Sequence, residues 1–506
     1  MTPGAQRTGR GSWMPRLLAA GAGVALALAL PGPGLVPLVL VVPGLLRRAL
    51  SGASGWRAFR LGWLAGFVQW VIAVAWVYIV LHRYGHLHAV LAVLAVILMA
   101  AILGLTWAFA GWAAGRVPES WRIVALPLAV ASFEELQRFP PWIFPWNPVA
   151  ATLTPMPALL APLPVTGAIG LSLLALLLGS SLDALLTAPL RRPGALWLAC
   201  AVVVWTGAAL LAPGFRPDGD PVKVAALQPN VPLETRWDPA NEAAIESRVW
   251  RLTREAADAG ATWIVWPESA LPRNLERDGS YRSEVEAFAR QRGVWMLISS
   301  IGLGPGEGEY FNSVNAVSPA GLLPWRYDKV HLVPFGEYVP LAGRIAALGA
   351  LVREVGSFTP GTSLLPLPGP AGPAGVAVCY EVTYPSLYAG EIARGAQVLA
   401  TVTNDGWYGD SAAPRQHVAL AVLRAAETRR YLVRAANTGI SAVIDPYGRV
   451  VTHLGVNREG FVTASVRPSN GVTPAVRFGA AIRTGVVLLA AGAIILGARR
   501  RTPPHR

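Results

Sequence analysis

Apolar residues fall into two regimes along the chain. Before residue 215 and after 475 they run almost without interruption, whereas between 217 and 470 they come in short bursts among polar, glycine and proline residues. Crossing the hydrocarbon core of a bilayer takes about 20 apolar residues. Seven stretches before residue 215 approach that length, at 14–31, 33–46, 61–81, 89–115, 120–136, 164–187 and 194–213, and an eighth follows at 478–498. The second holds Pro37 and Pro43 and is expected to tilt or break; the fifth is interrupted by Glu134 and Glu135. The middle region reads differently. Short apolar runs at 222–227, 262–266, 295–301, 376–378 and 398–402 predict buried strands, while 241–259 and 415–435 predict helices. Strand–helix alternation over this length implies an α/β domain whose sheet is covered by helices, with functional groups just beyond the carboxyl ends of strands.

Composition sharpens the division. Only 14% of the 506 residues are charged and 53% are hydrophobic, against roughly 25% charged in soluble domains, and the mean hydropathy is +0.43. A wholly soluble protein is excluded. The formal charge of +14 would by itself permit nucleic-acid binding, but residues 1–216 hold 14 basic and 4 acidic residues, 471–506 hold 6 and none, and 217–470 hold 23 and 25. The excess flanks apolar stretches, as basic loops beside membrane spans do, so nucleic acid is excluded as a main partner. With the N-terminus (Arg7, Arg10, Arg16) on the cytoplasmic side, Arg47, Arg48, Arg57, Arg60, Arg116, Arg122, Arg191, Arg192, Arg499, Arg500 and Arg501 all fall inside, leaving only Arg83 and Arg138 in outer loops. Residues 217–470 are then expected to face outward, tethered at both ends. A cleaved signal peptide is the alternative for 1–31; the spans that follow at once favour a retained anchor.

Smaller features add less. The outer loop running from Glu135 through Arg138 and Phe139 to Trp146 and Asn147 is rich in Trp and Pro, which serve either as interfacial anchors or as a re-entrant wall. His82, His86 and His88 stand four and two residues apart with no Cys or Asp nearby, and no metal site is expected there. The two cysteines sit in different solvents, Cys200 in an apolar run and Cys379 in the middle region, so they are not expected to pair.

Three segments of the middle region put reactive groups past strands. Trp263-Ile-Val-Trp-Pro-Glu268 places a carboxylate after a strand stopped by proline. Tyr327-Asp-Lys329-Val-His-Leu-Val-Pro-Phe-Gly-Glu337 carries an ammonium, and Val376-Ala-Val-Cys379-Tyr380-Glu381 carries a thiol. Nucleophile, base and cation suffice for acyl transfer through a thioester. Taken singly, a Cys after a strand, such as Cys379, is usually a small core residue, and a Glu after Pro, such as Glu268, is more often a helix N-terminal charge. Lys329 is more telling, because only Lys223 and Lys329 among the 43 basic residues are lysines. A chain that otherwise uses arginine has placed a compact ammonium where a guanidinium fork would be too large.

These segments resemble the nitrilase (carbon–nitrogen hydrolase) superfamily. Together with the spans before and after them, the chain resembles the bacterial apolipoprotein N-acyltransferases along essentially its whole length. Leu227-Gln-Pro-Asn230, Phe311-Asn-Ser-Val-Asn315 and Thr403-Asn-Asp-Gly-Trp-Tyr-Gly409 match as well. In the membrane half, Glu135-x-x-Arg138 and Pro145-Trp146 match apart from an extra proline-rich insertion.

The resemblance implies a membrane domain of seven transmembrane helices over 1–215, an α-β-β-α sandwich over 217–470, an eighth helix over 475–499 and a basic cytoplasmic tail over 500–506. It implies that Cys379 attacks the ester of a phospholipid acyl donor, with Glu268 moving the proton and Lys329 stabilising the oxyanion. The α-amine of a diacylglyceryl-modified apolipoprotein acceptor would then take the chain. Glu337, Tyr380 and Glu381 would support the site, with a purely structural ion pair as the plainer reading of Glu337. No cofactor or metal is implied, the enzyme is expected to work as a monomer, and its place is the bacterial inner membrane with the catalytic domain outside. Both substrates are lipid-anchored, so the apolar stretch 339–352 around Arg344 suits a membrane-dipping lid. Trp237 and Trp407 would line an acyl tunnel or simply pack. Two rivals stand beside this reading: a membrane-tethered amidase hydrolysing a C–N bond, and a non-catalytic scaffold retaining the fold.

Overall fold

The computed structural model describes residues 13–139, 144–236, 238–306, 308–334, 336–338 and 358–500. These form two compact units, one drawn from Met1–Pro155, Ala168–Gly207 and Ala480–Arg506, the other from Met156–Gly167 and Ala208–Gly479.

The first unit is helical. Among the described residues, Ala89–Ala114, Leu163–Leu185, Ala188–Leu211 and Pro474–Arg499 are long and apolar enough to cross a membrane, and Gly55–Ala73 with Val77–Tyr84 makes a fifth candidate bent by 57°. Met14–Ala29 and Glu119–Glu134 are shorter. The stretch holding Pro37 and Pro43 breaks into a 3₁₀ turn, Val36–Leu40, and an eight-residue helix, Val42–Ala49, each with its proline in the first turn. That is where a residue lacking an N–H and a free φ can sit without removing a helical bond. Buried Arg122 closes helix ends by donating to the carbonyls of Ala114, Leu50 and Ala53.

The second unit is a two-sheet sandwich. Its strands are β1 (Val222–Gln228), β2 (Trp263–Val265), β3 (Trp295–Leu303), β4 (Tyr310–Ser318), β5 (Gly321–Asp328), β6 (Ala374–Val378), β7 (Val398–Thr403), β8 (Leu432–Ala436), β9 (Ser441–Ile444), β10 (Val450–Leu454) and β11 (Gly460–Val466). One sheet has the order β11-β1-β2-β3-β4-β5, the other β10-β9-β8-β7-β6. Strands β1–β3 run parallel, as do β6–β8, and the remaining neighbours are antiparallel. Two antiparallel steps from β3 bring β5 back to the direction of β3.

Both faces of the central strands are buried, which is why their sequences read as continuous apolar runs. In β1, Val224 and Ala226 join Val376, Val398 and Val433 in the core between the sheets. Ala225 and Leu227 face the other way, into a core with Ile245 and Trp250 of helix Glu242–Asp258 and Val285 of helix Gly279–Arg292. Helices Pro385–Ile392 and Ala413–Thr428 pack on β6 and β8 at the opposite side. The layers are therefore α-β-β-α.

One expected element is corrected. The helix anticipated over 415–435 stops at Thr428, and its last residues form β8 instead. Arg429 takes the left-handed conformation (φ 54°) that usually marks a glycine stop, so no glycine or proline in the sequence announces the turn. Leu432–Ala436 is buried throughout between β7 and β9, and that sheet pairing outweighs the helical propensity of Leu, Arg and Ala.

Candidate active site

The carboxyl ends of β2, β5, β6 and β7 deliver the polar groups. After β2, Pro267 ends the ladder and Glu268 follows. Its Oε1 accepts from Asn312 Nδ2 at 2.8 Å and its Oε2 from the backbone N–H of Asn404, just past β7, at 2.9 Å. Arg236 donates to the Glu268 carbonyl at 2.9 Å. Lys329 immediately follows β5 and is buried to 1% exposure; its Nζ lies 2.9 and 2.8 Å from the two carboxylate oxygens of Glu337 and 3.9 Å from Glu268 Oε1. Asn312 Nδ2 also donates to Glu337 Oε1 at 2.9 Å, so one amide spans both carboxylates. The Lys329 carbonyl accepts from Gly361 at 2.7 Å, and any Cβ at Gly361 would collide with the Asp328 carbonyl, which explains glycine there.

Cys379 opens the turn after β6 with φ at +54°. A left-handed non-glycine residue costs roughly 1–3 kcal/mol and persists only where its surroundings over-determine it. Glu381 supplies part of that constraint. Its Oε1 accepts from Val330 N–H at 2.7 Å and His331 N–H at 2.9 Å, its Oε2 from Val378 N–H at 2.8 Å, and both oxygens from the Tyr327 hydroxyl at 2.9 Å. One buried carboxylate thus ties the chain after Lys329 to the chain before Cys379. Tyr380 is buried, edge-on to Tyr384, whose ring stacks on His331 at 4.1 Å.

Electrostatics follow from burial and from the neighbours. Burial raises the Glu268 carboxyl above its ordinary range; Lys329 opposes this and Glu337 reinforces it. Burial alone would lower Lys329, but Glu337, Glu268, Cys379 and Glu381 hold its ammonium above the usual lysine value. The Cys379 thiol is pushed up to about 12, chiefly by burial and then by the Glu268 charge, with Lys329 pulling the other way. Glu381 rises to about 7 through burial, against the pull of Lys329 and of its own N–H donors. The thiol is thus held in its protonated form and the lysine in its charged form, beside a Glu268 carboxyl whose affinity for a proton is raised.

Residues 223–472 match the carbon-nitrogen hydrolase family, and residues 22–181 match the apolipoprotein N-acyltransferase N-terminal domain. The apolipoprotein N-acyltransferase of Geobacter metallireducens is 33% identical over 97% of this chain and 96% of its own length. That of Azotobacter vinelandii is 34% identical over 97% and 96%.

The chain belongs to the apolipoprotein N-acyltransferase family.

It is an acyltransferase and, with its apolar helices, a bacterial membrane protein. Among solved structures, the C. elegans NitFhit protein is similar at 20% identity and a TM-score of 0.40, covering 55% of this chain and 65% of that one. Of the residues the family reading names, Glu268, Lys329 and Glu337 meet directly, Cys379 lies within reach of their charges, and Glu381 ties the backbone after Lys329 to that before Cys379, while Tyr380 packs on Tyr384. Trp407 is 45% exposed in the turn Asp405–Tyr408. Trp237 and the segment 339–352 lie outside the described residues, as does 140–143 of the proline-rich loop. Among the described residues no group of three or more His, Cys, Asp or Glu could hold a metal ion.

Sequence reading quoted the segments that hold Asn312, Asn404 and Asp405 without giving them a role, and missed His417 and Arg434. Asn312, Asn404, Asp405, His417 and Arg434 are all buried, and each bonds to the site or to a residue that does. The available signal was a charged residue inside an otherwise apolar run, such as Arg434 in β8, which is retained only when partnered.

Proposed function

We propose that this protein moves an acyl chain from a phospholipid to the N-terminal α-amine of a diacylglyceryl-cysteine on an apolipoprotein, through a thioester on Cys379. The observation that carries the reading is geometric: Lys329 Nζ lies 3.9 Å from Glu268 Oε1 and is held by Glu337 through two contacts of 2.9 and 2.8 Å, and the buried Cys379 thiol feels the charges of both Glu268 and Lys329. Glu337 is paired with Lys329, which leaves Glu268 as the carboxylate positioned to take the Cys379 proton. Moving the thiol proton to Glu268 creates the thiolate and removes the repulsion that opposed it.

In the first half-reaction, Sγ attacks the ester carbonyl while Glu268 takes the thiol proton. The oxyanion forms within reach of Lys329 Nζ. Collapse breaks the ester C–O bond, Glu268 returns the proton to the departing lysophospholipid oxygen, and the thioester remains. In the second, the acceptor amine attacks the thioester, Glu268 takes its proton, and the leaving sulfur is reprotonated. Lys329 serves as electrostatic donor throughout, and Asn312 and the Asn404 N–H keep Glu268 aimed. Trp407, and Trp237 with 339–352, would contact acyl chains. The loop charges support seven spans before residue 215, one over 475–499, both termini in the cytoplasm, and residues 217–470 on the periplasmic side of the inner membrane, where the lipid-anchored substrates lie.

Two measurements test the reading. The N-terminus of a lipoprotein from cells with and without the protein should differ by one amide-linked acyl chain in mass spectrometry. Purified enzyme given phospholipid alone should release about one equivalent of lysophospholipid in a burst and then stall. Continuous release without acceptor would instead make it a hydrolase.

Glu337→Gln carries a pH prediction. Glu337 raises Glu268, both directly and by neutralising Lys329. Acylation needs Glu268 ionised, so the burst rate falls as pH drops through the Glu268 titration, which lies above the ordinary carboxylate range. Removing the Glu337 charge lowers Glu268 by both routes, so the acid limb of the burst should move to lower pH while the plateau rate falls. An unmoved limb, or one moved to higher pH, would remove Glu337 from this role.

A further inference from the structure

His417 lies on the buried helix Ala413–Thr428, 38 residues beyond Cys379. Its Nε2 is 3.0 Å from the Cys379 carbonyl oxygen, and its Nδ1 is 2.8 Å from Asp405 Oδ1 and 3.1 Å from Arg434 Nη2. Asp405 is itself fixed, accepting from Thr403 Oγ1 at 3.0 Å and from Arg434 Nη2 at 2.7 Å. Arg434 Nε donates to the Ile440 carbonyl at 3.1 Å. The side chains of Asp405, His417 and Arg434 have no solvent exposure. Whichever of Asp405 and Arg434 bonds Nδ1, a carbonyl can only accept, so Nε2 carries a hydrogen.

A histidine that merely filled the core would not need to spend its second nitrogen on the backbone of a residue held in a left-handed conformation. The residue it bonds is Cys379 itself. Peptide planarity means that holding this carbonyl also fixes the N–H of Tyr380 on the opposite edge. The same loop, Thr403–Asn404–Asp405, sends the Asn404 N–H to Glu268, so one turn sets the base and, through His417, the nucleophile.

We propose that His417 is a positioning residue for the acylation step: its Nε2–H clamps the Cys379 carbonyl, locks the left-handed backbone there and so aims Sγ, while Asp405 and Arg434 hold the imidazole in register. This rests on Cys379 being the acyl-carrying nucleophile. A Cys379→Ala control separates the two ideas, because acyl-enzyme formed without Cys379 defeats the nucleophile assignment rather than the clamp.

The test is a pair of substitutions that divide the two ring nitrogens. In His417→Asn the amide reaches only the Nδ1 position and keeps Asp405 and Arg434. In His417→Gln the terminal amide nitrogen reaches the Nε2 position and keeps the Cys379 carbonyl. With folding checked by thermal unfolding, the Gln variant should retain the lysophospholipid burst rate within about fivefold, and the Asn variant should lose about 100-fold with KM for phospholipid unchanged, the size expected of a misaimed reacting atom. A folded Gln variant that loses the burst, or two folded variants with equal rates, overturns the proposal. If the variants do not fold, ¹⁵N-histidine spectra of the parent decide it: a protonated Nε2 on the solvent-shielded His417 is required, and an unprotonated one overturns the clamp.

Discussion

Cys379→Ser is expected to fold as the parent does and to lose acyl transfer by on the order of 1,000-fold or more, as removal of a covalent nucleophile does elsewhere. The exchange changes one atom at a side chain that is 7% exposed, and the strands and turn around it are held by other residues. The chemistry does not survive it. Burial, and after it the Glu268 charge, pushes the thiol up to about 12; protonating Glu268 relieves the second of these, and an alkoxide is far harder to form. Phospholipid carrying a labelled acyl chain, incubated with enzyme and analysed on gels before and after hydroxylamine, reads this directly. The parent should carry a hydroxylamine-sensitive band and the serine variant none. Equal labelling of the two would remove Cys379 from the mechanism, since Cys200 is the only other thiol.

Lys329→Arg keeps the charge and is nevertheless expected to lose roughly 100- to 1,000-fold in the burst rate, the usual cost of one oxyanion donor. The reason is shape. Lys329 Nζ sits in a pocket bounded by Glu337 and, at 3.9 Å, by Glu268, with 1% of the side chain exposed. A planar guanidinium is larger and would pair with Glu337 through two parallel bonds, turning its donors away from the reacting carbon. Circular dichroism should still report the parent's fold, with a lowered unfolding temperature from the larger buried group, while the burst collapses. A rate within a few-fold of the parent would mean that charge alone suffices at this position.

Much of this protein could be read along the chain because the relevant signals are local. A strand that ends in Trp-Pro puts Glu268 beyond the ladder whatever lies on either side, and Val376–Val378 likewise presents Cys379. The scarcity of lysine marked Lys329 without any coordinates, and the long apolar runs with their basic flanks marked the membrane half. The proline-broken stretch at 33–46 was also legible, since proline removes a backbone donor in any surroundings.

What the chain alone did not disclose depends on partners far away in sequence. Residues 432–436 look like the end of a helix, and only the sheet between β7 and β9 makes them a strand. Glu381 sits beside Cys379 in sequence, yet its purpose emerges only when its carboxylate gathers Tyr327, Val330, His331 and Val378. His417 and Arg434 lie in no segment that the sequence singles out, and Asp405 only in a matched segment with no role attached; the three become a unit when burial forces each polar atom to find a partner inside the fold. Local sequence decides which groups stand at strand ends, because proline stops and apolar runs act over a few residues. Tertiary structure decides how those groups are aimed and charged, because burial and hydrogen bonds are supplied by strands that meet only in the folded chain.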